Sequence, residues 1–188
     1  MALNEELQVL QGIDKLAYYR KLDNAATEEG HLLPYQTTHK FDPSKKVDTT
    51  ATKSGSVASS ASVETDFEQE FLDSTSAIAD QFYDSLFNDE ILEVWLVSRK
   101  RKNETGQMFA WYFRAKVNED ENDNDSDDLS TRDASFTVIG TPQRGWLTLP
   151  EGAQEEIDYV FRGLKASTIE DATGGGTPAT AAATKPVV

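Results

Sequence analysis

The sequence predicts a mainly β protein, a β-sandwich or barrel with one packed α-helix. Two patterns support this prediction. Several segments alternate apolar and polar residues with period two, which is typical of strands with one buried face. One segment, at about residues 74–88, instead spaces its apolar residues as an amphipathic helix does. Because strands dominate, we expect sheet layers with the helix packed against one face.

The composition is that of a soluble globular protein. The chain has 188 residues, of which 38% are hydrophobic and 10% aromatic, enough for one domain with a real core. Its formal net charge is -15, so nucleic acid should be repelled unless basic residues form a separate patch. There is no cysteine, which excludes disulfides and thiolate metal sites. The acidic N-terminus and short apolar runs predict no signal peptide, no membrane segment and synthesis in the cytoplasm.

Two short strands and a long loop are predicted in the first third of the chain. Residues 15–22 contain the aromatic pair Tyr18 and Tyr19, which favours a pleated surface, and residues 32–39 follow a glycine-containing turn. The next segment, at about residues 39–59, is polar and poor in apolar side chains. It therefore predicts a long inter-strand loop.

A strictly alternating strand follows this loop. Val63, Thr65 and Phe67 fall on one face together with Ala61, Gln69 and Phe71. The opposite face carries the carboxylates of Glu64, Asp66, Glu68 and Glu70. One side of this strand should therefore pack on the core while the other presents an acidic wall.

The single helix has recognisable ends. Asp73, Ser74 and Thr75 have short polar side chains that can cap the free N–H groups of a first turn. Ile78, Phe82 and Leu86 then recur at four-residue spacing, and Asn88 with Asp89 marks the stop.

Further strands are predicted at residues 91–98, 107–117 and 129–140. A turn at residues 141–145 and a short strand at 146–149 come next. Residues 151–166 fit either a strand or a helix. The domain is predicted to span residues 1–172, and the low-complexity Gly/Ala/Thr/Pro segment 173–188 is predicted to be a flexible tail.

The two connections between these three strands carry opposite charge. The first holds Arg99, Lys100, Arg101 and Lys102, and the second is an acidic segment that includes Asp120, Asp123, Asp125, Asp127 and Asp128. In an antiparallel meander the connections lie at opposite ends, so copies could stack head to tail with complementary charges in contact. The alternative is two ordinary solvated hairpin tips.

Catalytic and metal-binding patterns are weak. The only histidines are His31 and His39, and no nucleophile elbow, zinc-protease or P-loop motif is present. The acidic connection does not fit an EF-hand, because frames starting at Asp120 or Asp123 end on Thr131 or Ala134 where a glutamate is needed. A weak, non-specific cation site stays open as an alternative. We predict no enzyme activity, no cofactor and no catalytic or metal site.

Taken in order, these features resemble the major tail tube proteins of bacteriophages with long, non-contractile tails, especially those of Gram-positive hosts. The similarity spans about residues 8–150, and it is carried by residues 34–39, 48–57, 92–97 and 136–145 together with the acidic strand and the helix. The run Thr49-x-x-Thr52-Lys53-x-Gly55-x-Val57 is one of these motifs, and their order along the chain carries the resemblance.

The resemblance implies a structural subunit of the virion tail, assembled in the host cytoplasm. Such subunits form hexameric rings that stack into a tube through which double-stranded DNA passes during genome delivery. Their partners are further copies, the tape measure protein, the distal tail protein and the tail terminator. The resemblance assigns contacts between rings to the long loop, with His39, Lys40, Phe41, Lys45, Lys46, Asp48 and Lys53, and makes Glu64, Asp66, Glu68 and Glu70 candidates for an acidic lumen.

A second function class stays open from the residues alone. A non-catalytic β-sandwich could be displayed on a virion or cell surface and grip a carbohydrate or protein with its loops. Exposed aromatic residues in the long loop would favour this alternative, yet Phe41 is the only aromatic residue there. Assembly state separates the two classes, because a binding module need not polymerise.

Overall fold

One continuous antiparallel sheet and one helix make up the computed structural model, which describes residues 9–150. In chain order the elements are β1 (Lys15–Lys21), β2 (His31–Leu32), β3 (Gln36–Thr52), β4 (Gly55–Leu72), α1 (Ala77–Asn88), β5 (Leu92–Lys102), β6 (Met108–Asp123) and β7 (Thr131–Leu147). Short 3-10 helices at Gly12–Asp14 and Leu22–Asn24 flank β1. The predicted fold class, mainly β with a single packed helix, is confirmed.

The strands follow the order β2-β1-β5-β6-β7-β4-β3. Strands β5, β6 and β7 form an antiparallel meander, so their two connections lie at opposite ends of the sheet. The sheet curls until its two sides meet across the core. The Ala17 N–H of β1 donates to Gln36 Oε1 of β3 (2.8 Å), and the Tyr19 hydroxyl donates to Gln69 Oε1 of β4 (2.9 Å). The result is barrel-like.

Aromatic rings fill the concave side of the sheet. The ring of Phe82 from α1 lies 4.8 Å from Tyr19 and 5.2 Å from Phe136, and Phe67 lies 5.1 Å from Phe113, measured between ring centroids. Edge-to-face pairs of this kind stabilise a core beyond the area that they bury. Complete burial raises the pKa of the Tyr19 hydroxyl well above its ordinary value.

The helix begins two to three residues after the predicted start. Ser76, not Ser74 or Thr75, is the N-cap, and its hydroxyl accepts a hydrogen bond from the Ile78 N–H (3.3 Å). The helix ends at Asn88 as predicted, because Asp89 takes a left-handed conformation (φ 64°) that stops it.

The prediction of a loop at about residues 39–59 is wrong. This segment forms a β-hairpin in which β3 and β4 stay paired from Gln36 and Phe71 to a two-residue turn between Thr52 and Gly55. The sequence here lacks the alternation of apolar and polar residues that predicts a strand. The reason is that this two-stranded ribbon is exposed on both faces and so needs no apolar face. β-Branched residues such as Val47, Thr49 and Thr50 favour the extended backbone here.

Two smaller predictions also change. The strand predicted at 32–39 is interrupted after Leu32 by a turn, in which Tyr35 has a positive φ of 54°. The turn predicted at residues 141–145 lies inside β7, where the β6–β7 register shifts between Tyr112 and Arg114 and Gly140 adopts a φ of 75°. A glycine tolerates that angle without a Cβ clash, so one strand continues through the irregularity.

A boundary between two units of the chain falls after Thr148. The strands and the helix named above belong to the first unit. The strand or helix predicted at 151–166 and the flexible tail predicted at 173–188 lie outside the described residues. The predicted domain of residues 1–172 stays a prediction.

Candidate assembly surfaces

A long exposed hairpin is the most prominent surface feature, and we call residues 44–62 the arm. Every residue from Asp42 to Ser62 is exposed. The turn at its tip is held by the Thr52 hydroxyl, which donates to the Gly55 carbonyl (2.5 Å), and by Gly55 itself, whose φ of 135° favours glycine. The arm spans about 30 Å at the usual rise of a strand. It buries nothing in the isolated chain, so its surface is available to a partner.

The arm leaves the sheet at a defined point. Strands β4 and β7 pair only from Leu72 with Thr131 to Asp66 with Thr137. Beyond that pair β4 continues into the arm without β7, while β7 stays with β6. The register therefore directs the arm towards the end of the sheet that holds the β5–β6 turn, away from the β6–β7 connection.

The predicted loop residues fall into two groups. Lys45, Lys46, Asp48 and Lys53 lie on the arm. His39, Lys40 and Phe41 lie below it, within the sheet. The Phe41 ring packs 5.1 Å from Trp111, and Lys40 Nζ forms an ion pair with Glu68 Oε1 (3.2 Å). Burial, reinforced by the charge of Lys15, lowers the pKa of His39 below its ordinary value, so this imidazole is neutral at pH 7.

The predicted acidic strand has the expected two faces. Thr65, Phe67, Gln69 and Phe71 are buried, while Glu64, Asp66 and Glu70 are exposed and Glu68 is half-buried beside Lys40. The carboxylates extend across neighbouring strands, since Glu70 lies opposite Asp133 of β7, which lies opposite Glu121 of β6. We call this surface of β4, β7 and β6 the acidic face. Asp133 is not among the residues predicted from the sequence, although it alternates there with the core residue Ala134.

The basic residues predicted at an exposed connection lie in strand β5 instead. The turn itself is Asn103 to Gln107, closed by a hydrogen bond from the Asn103 N–H to the Gln107 carbonyl (3.0 Å). Lys100 Nζ pairs with Asp14 Oδ2 (2.8 Å), and the Arg101 guanidinium stacks 3.9 Å from the Phe109 ring centroid. Arg99 is half-buried, and Lys102 is exposed. Part of this predicted basic tip is therefore engaged within its own chain.

The predicted acidic connection also changes. Asp120 and Asp123 belong to β6, and the connection proper begins at Asn124. The Asp120 side chain is fully buried and forms an ion pair with Arg132, so its prediction as a residue of an exposed tip is wrong. The pair forms because Arg132 is also buried and needs a counter-charge. Asp123, Asp125, Asp127 and Asp128 are exposed as predicted.

A second buried ion pair joins Arg20 and Glu93, on the face of β5 that points away from the core residues Leu92 and Val94. Glu93 accepts from Arg20 Nε (2.8 Å) and from the Tyr112 hydroxyl (2.6 Å). Burial and the bond to Glu93 raise the pKa of Tyr112. These groups satisfy one another and leave no free nucleophile or base, so they stabilise the sheet.

Residues 9–150 contain no cluster of three or more histidine, cysteine, aspartate or glutamate side chains arranged to hold a metal ion. Within the same residues, no helix combines the length and apolarity needed to cross a membrane.

Solved structures provide the comparison that decides the fold. The SPP1 tail tube protein is 16% identical, with a TM-score of 0.64 over 81% of this chain and 87% of that chain. The chain shares the tail tube fold. The tail of an empty gene transfer agent particle, which has C6 symmetry, is 8% identical, with a TM-score of 0.56 over 73% of this chain and 99% of that one.

A tube-terminating cap of the anti-feeding prophage is also similar to this tail tube fold. It is 11% identical, with a TM-score of 0.50 over 78% of this chain and 99% of that chain. No protein-family model and no curated protein sequence matches the chain. The likeness therefore lies in the backbone architecture, at sequence identities where the fold alone is shared.

Proposed function

We propose that this protein is the tail tube subunit of a bacteriophage with a long, non-contractile tail that infects a Gram-positive host. The observation that carries the proposal is the similarity to the SPP1 tail tube, which extends over most of both chains. Its place is the virion tail, and the subunit is made and assembled in the host cytoplasm. The role is structural and non-catalytic.

We propose a tube of stacked hexameric rings. The sixfold symmetry of the similar gene transfer agent tail supports this ring size. The arm is the element that reaches the next ring, because it is long, exposed and leaves the sheet at one end. The proposed partners of the subunit are further copies of itself and the tape measure, distal tail and tail terminator proteins.

The acidic face is proposed to line the lumen, with Glu64, Asp66, Glu68 and Glu70 at its centre. DNA binding depends largely on cations that neutralise phosphates, and this surface offers mainly carboxylates. Mutual repulsion would let double-stranded DNA slide through without specific binding. The alternative binding module is disfavoured, because the arm contains no aromatic residue with which to grip a ligand.

Electron microscopy of the purified chain in negative stain tests this function. We expect concentrated protein to form rings or hollow tubes. A preparation that stays dispersed at every concentration and salt, and also after addition of distal tail complexes as seeds, would contradict the proposal.

A further inference from the structure

A depression with both apolar and acidic lining residues lies at the end of the sheet opposite the arm. Leu72, Leu129 and Thr131 line it, and its volume is about 360 Å³. Leu129 is 72% exposed and lies in the β6–β7 connection, two residues before β7 begins. Asp123, Asp125 and Asp128 line the same depression. The site thus combines apolar and anionic groups.

Within residues 9–150, no basic side chain pairs with the carboxylates of this depression. The connection is held together by uncharged groups, since the Ser130 hydroxyl donates to Asn124 Oδ1 (2.7 Å) and the Asn124 amide contacts Asn122. Among residues 9–150, Asp123, Asp125, Asp127 and Asp128 form no ion pair. Salt or a positively charged partner would relieve their mutual repulsion.

The arm has the complementary composition. Its charged residues are Lys45, Lys46 and Lys53 against the single Asp48, on a chain with a net charge of -15. The three lysines form no ion pair with described residues, unlike Lys40 below them. Val47 and Val57 add apolar side chains that are 54% and 59% exposed, one on each face of the arm, because Val47 lies opposite Ser60 and Val57 lies opposite Thr50.

The two surfaces cannot meet within one molecule. The arm extends towards the β5–β6 end of the sheet, whereas the depression lies beside the β6–β7 connection at the other end. Two different surfaces at opposite ends of one subunit generate a head-to-tail contact between copies.

We propose that the arm of one copy docks in this depression of another copy, with Val57 against Leu72 and Leu129 and its lysines beside Asp123, Asp125 and Asp128. The proposal rests on the proposed function and names the surface that receives the arm. It assigns the electrostatic attraction between stacked copies to the arm lysines. The basic residues 99–102, predicted from the sequence to make this contact, take no part in it.

Charge reversal on each side provides the first test. The arm variant is K45E/K46E/K53E, and the depression variant is D123K/D125K/D128K. Each alone brings like charges together, so we expect loss of tubes with either variant. An equimolar mixture should form tubes again. When the two variants alternate, each acidic arm meets a basic depression and each basic arm meets an acidic one. The mixture also controls for folding, since an unfolded variant cannot restore assembly.

Cysteine cross-linking provides a second readout that needs no tubes. The chain has no cysteine, so V57C and L129C can be mixed as separate proteins on a clean background. We expect a mixed disulfide dimer. The matched control pairs L129C with E104C, which lies on the β5–β6 turn at the arm's end of the sheet, and should give little of that dimer.

The outcomes separate the two proposals. The docking site would be refuted if the wild type forms tubes and both charge variants assemble equally well. It would also be refuted if the mixture of the two variants stays dispersed. Either result would leave the proposed tail tube function intact. Failure of the wild type to assemble under any condition would count against the function itself. Equal cross-linking of V57C and E104C would also refute the docking site.

Discussion

Arg132 shows how this protein buries a charge. Its side chain is 1% exposed, and it pairs with Asp120, donates to the Ala79 carbonyl (3.2 Å) and stacks 3.9 Å from the Tyr83 ring centroid. Burial opposes the charged form, but the bond and charge of Asp120 outweigh it and raise the pKa of Arg132. The guanidinium therefore joins β6, β7 and α1 at one point.

Removing this guanidinium should be costly. We expect R132A to lower the free energy of unfolding by about 3–5 kcal/mol, because Asp120 would stay buried without a partner. Urea denaturation followed by tryptophan fluorescence measures the change. The matched variant D120L/R132M removes both charges and should recover most of the loss. If R132A unfolds at the wild-type urea concentration, the ion pair is not what secures this junction.

The elements differ in how far the sequence reveals them. The acidic strand and the helix were predicted because their periodicity is local, with Phe67 and Phe71 on one strand face and Ile78 and Phe82 on one helix face. The sequence predicts the arm as an exposed connection but not as paired strands. Both faces of the arm contact solvent, so its residues do not alternate between apolar and polar. The burial of Asp120 depends on Arg132, twelve residues away, and no local signal gives that pairing.

The arm can be tested as a removable element. Lys45 lies opposite Val63, so replacing residues 46–62 with Asn-Gly should close the hairpin with a two-residue turn. We expect an unchanged free energy of unfolding, because the removed residues are exposed, and complete loss of tubes in electron microscopy. A matched variant that keeps the arm's length but exchanges Ser59 and Ser60 for threonine should assemble normally. Normal tubes from the shortened chain would exclude the arm from assembly.

The charge of the whole molecule bears on the proposed conduit. We expect E64K/D66K/E70K to assemble, because these side chains are exposed, but to yield tubes that retain double-stranded DNA and release it at high salt. Wild-type tubes should not retain DNA. Co-sedimentation of DNA with assembled tubes measures the difference.

The control for this experiment reverses three exposed carboxylates that lie off the acidic face, as D23K/E29K/E104K. It changes the net charge equally and should leave DNA retention at the wild-type level. Equal retention by both variants would mean that overall charge, and not the position of the acidic face, governs the interaction with DNA.

The parting of β4 from β7 beyond Asp66 and Thr137 has a mechanical consequence. No ladder hydrogen bond ties the arm to β7 past that pair, so the arm can tilt about its base without breaking the pairing of either hairpin. In the stacked tube proposed above, each such base would act as a hinge between neighbouring rings. Such a tail would bend by small tilts shared among many rings, while the proposed conduit inside it would stay closed.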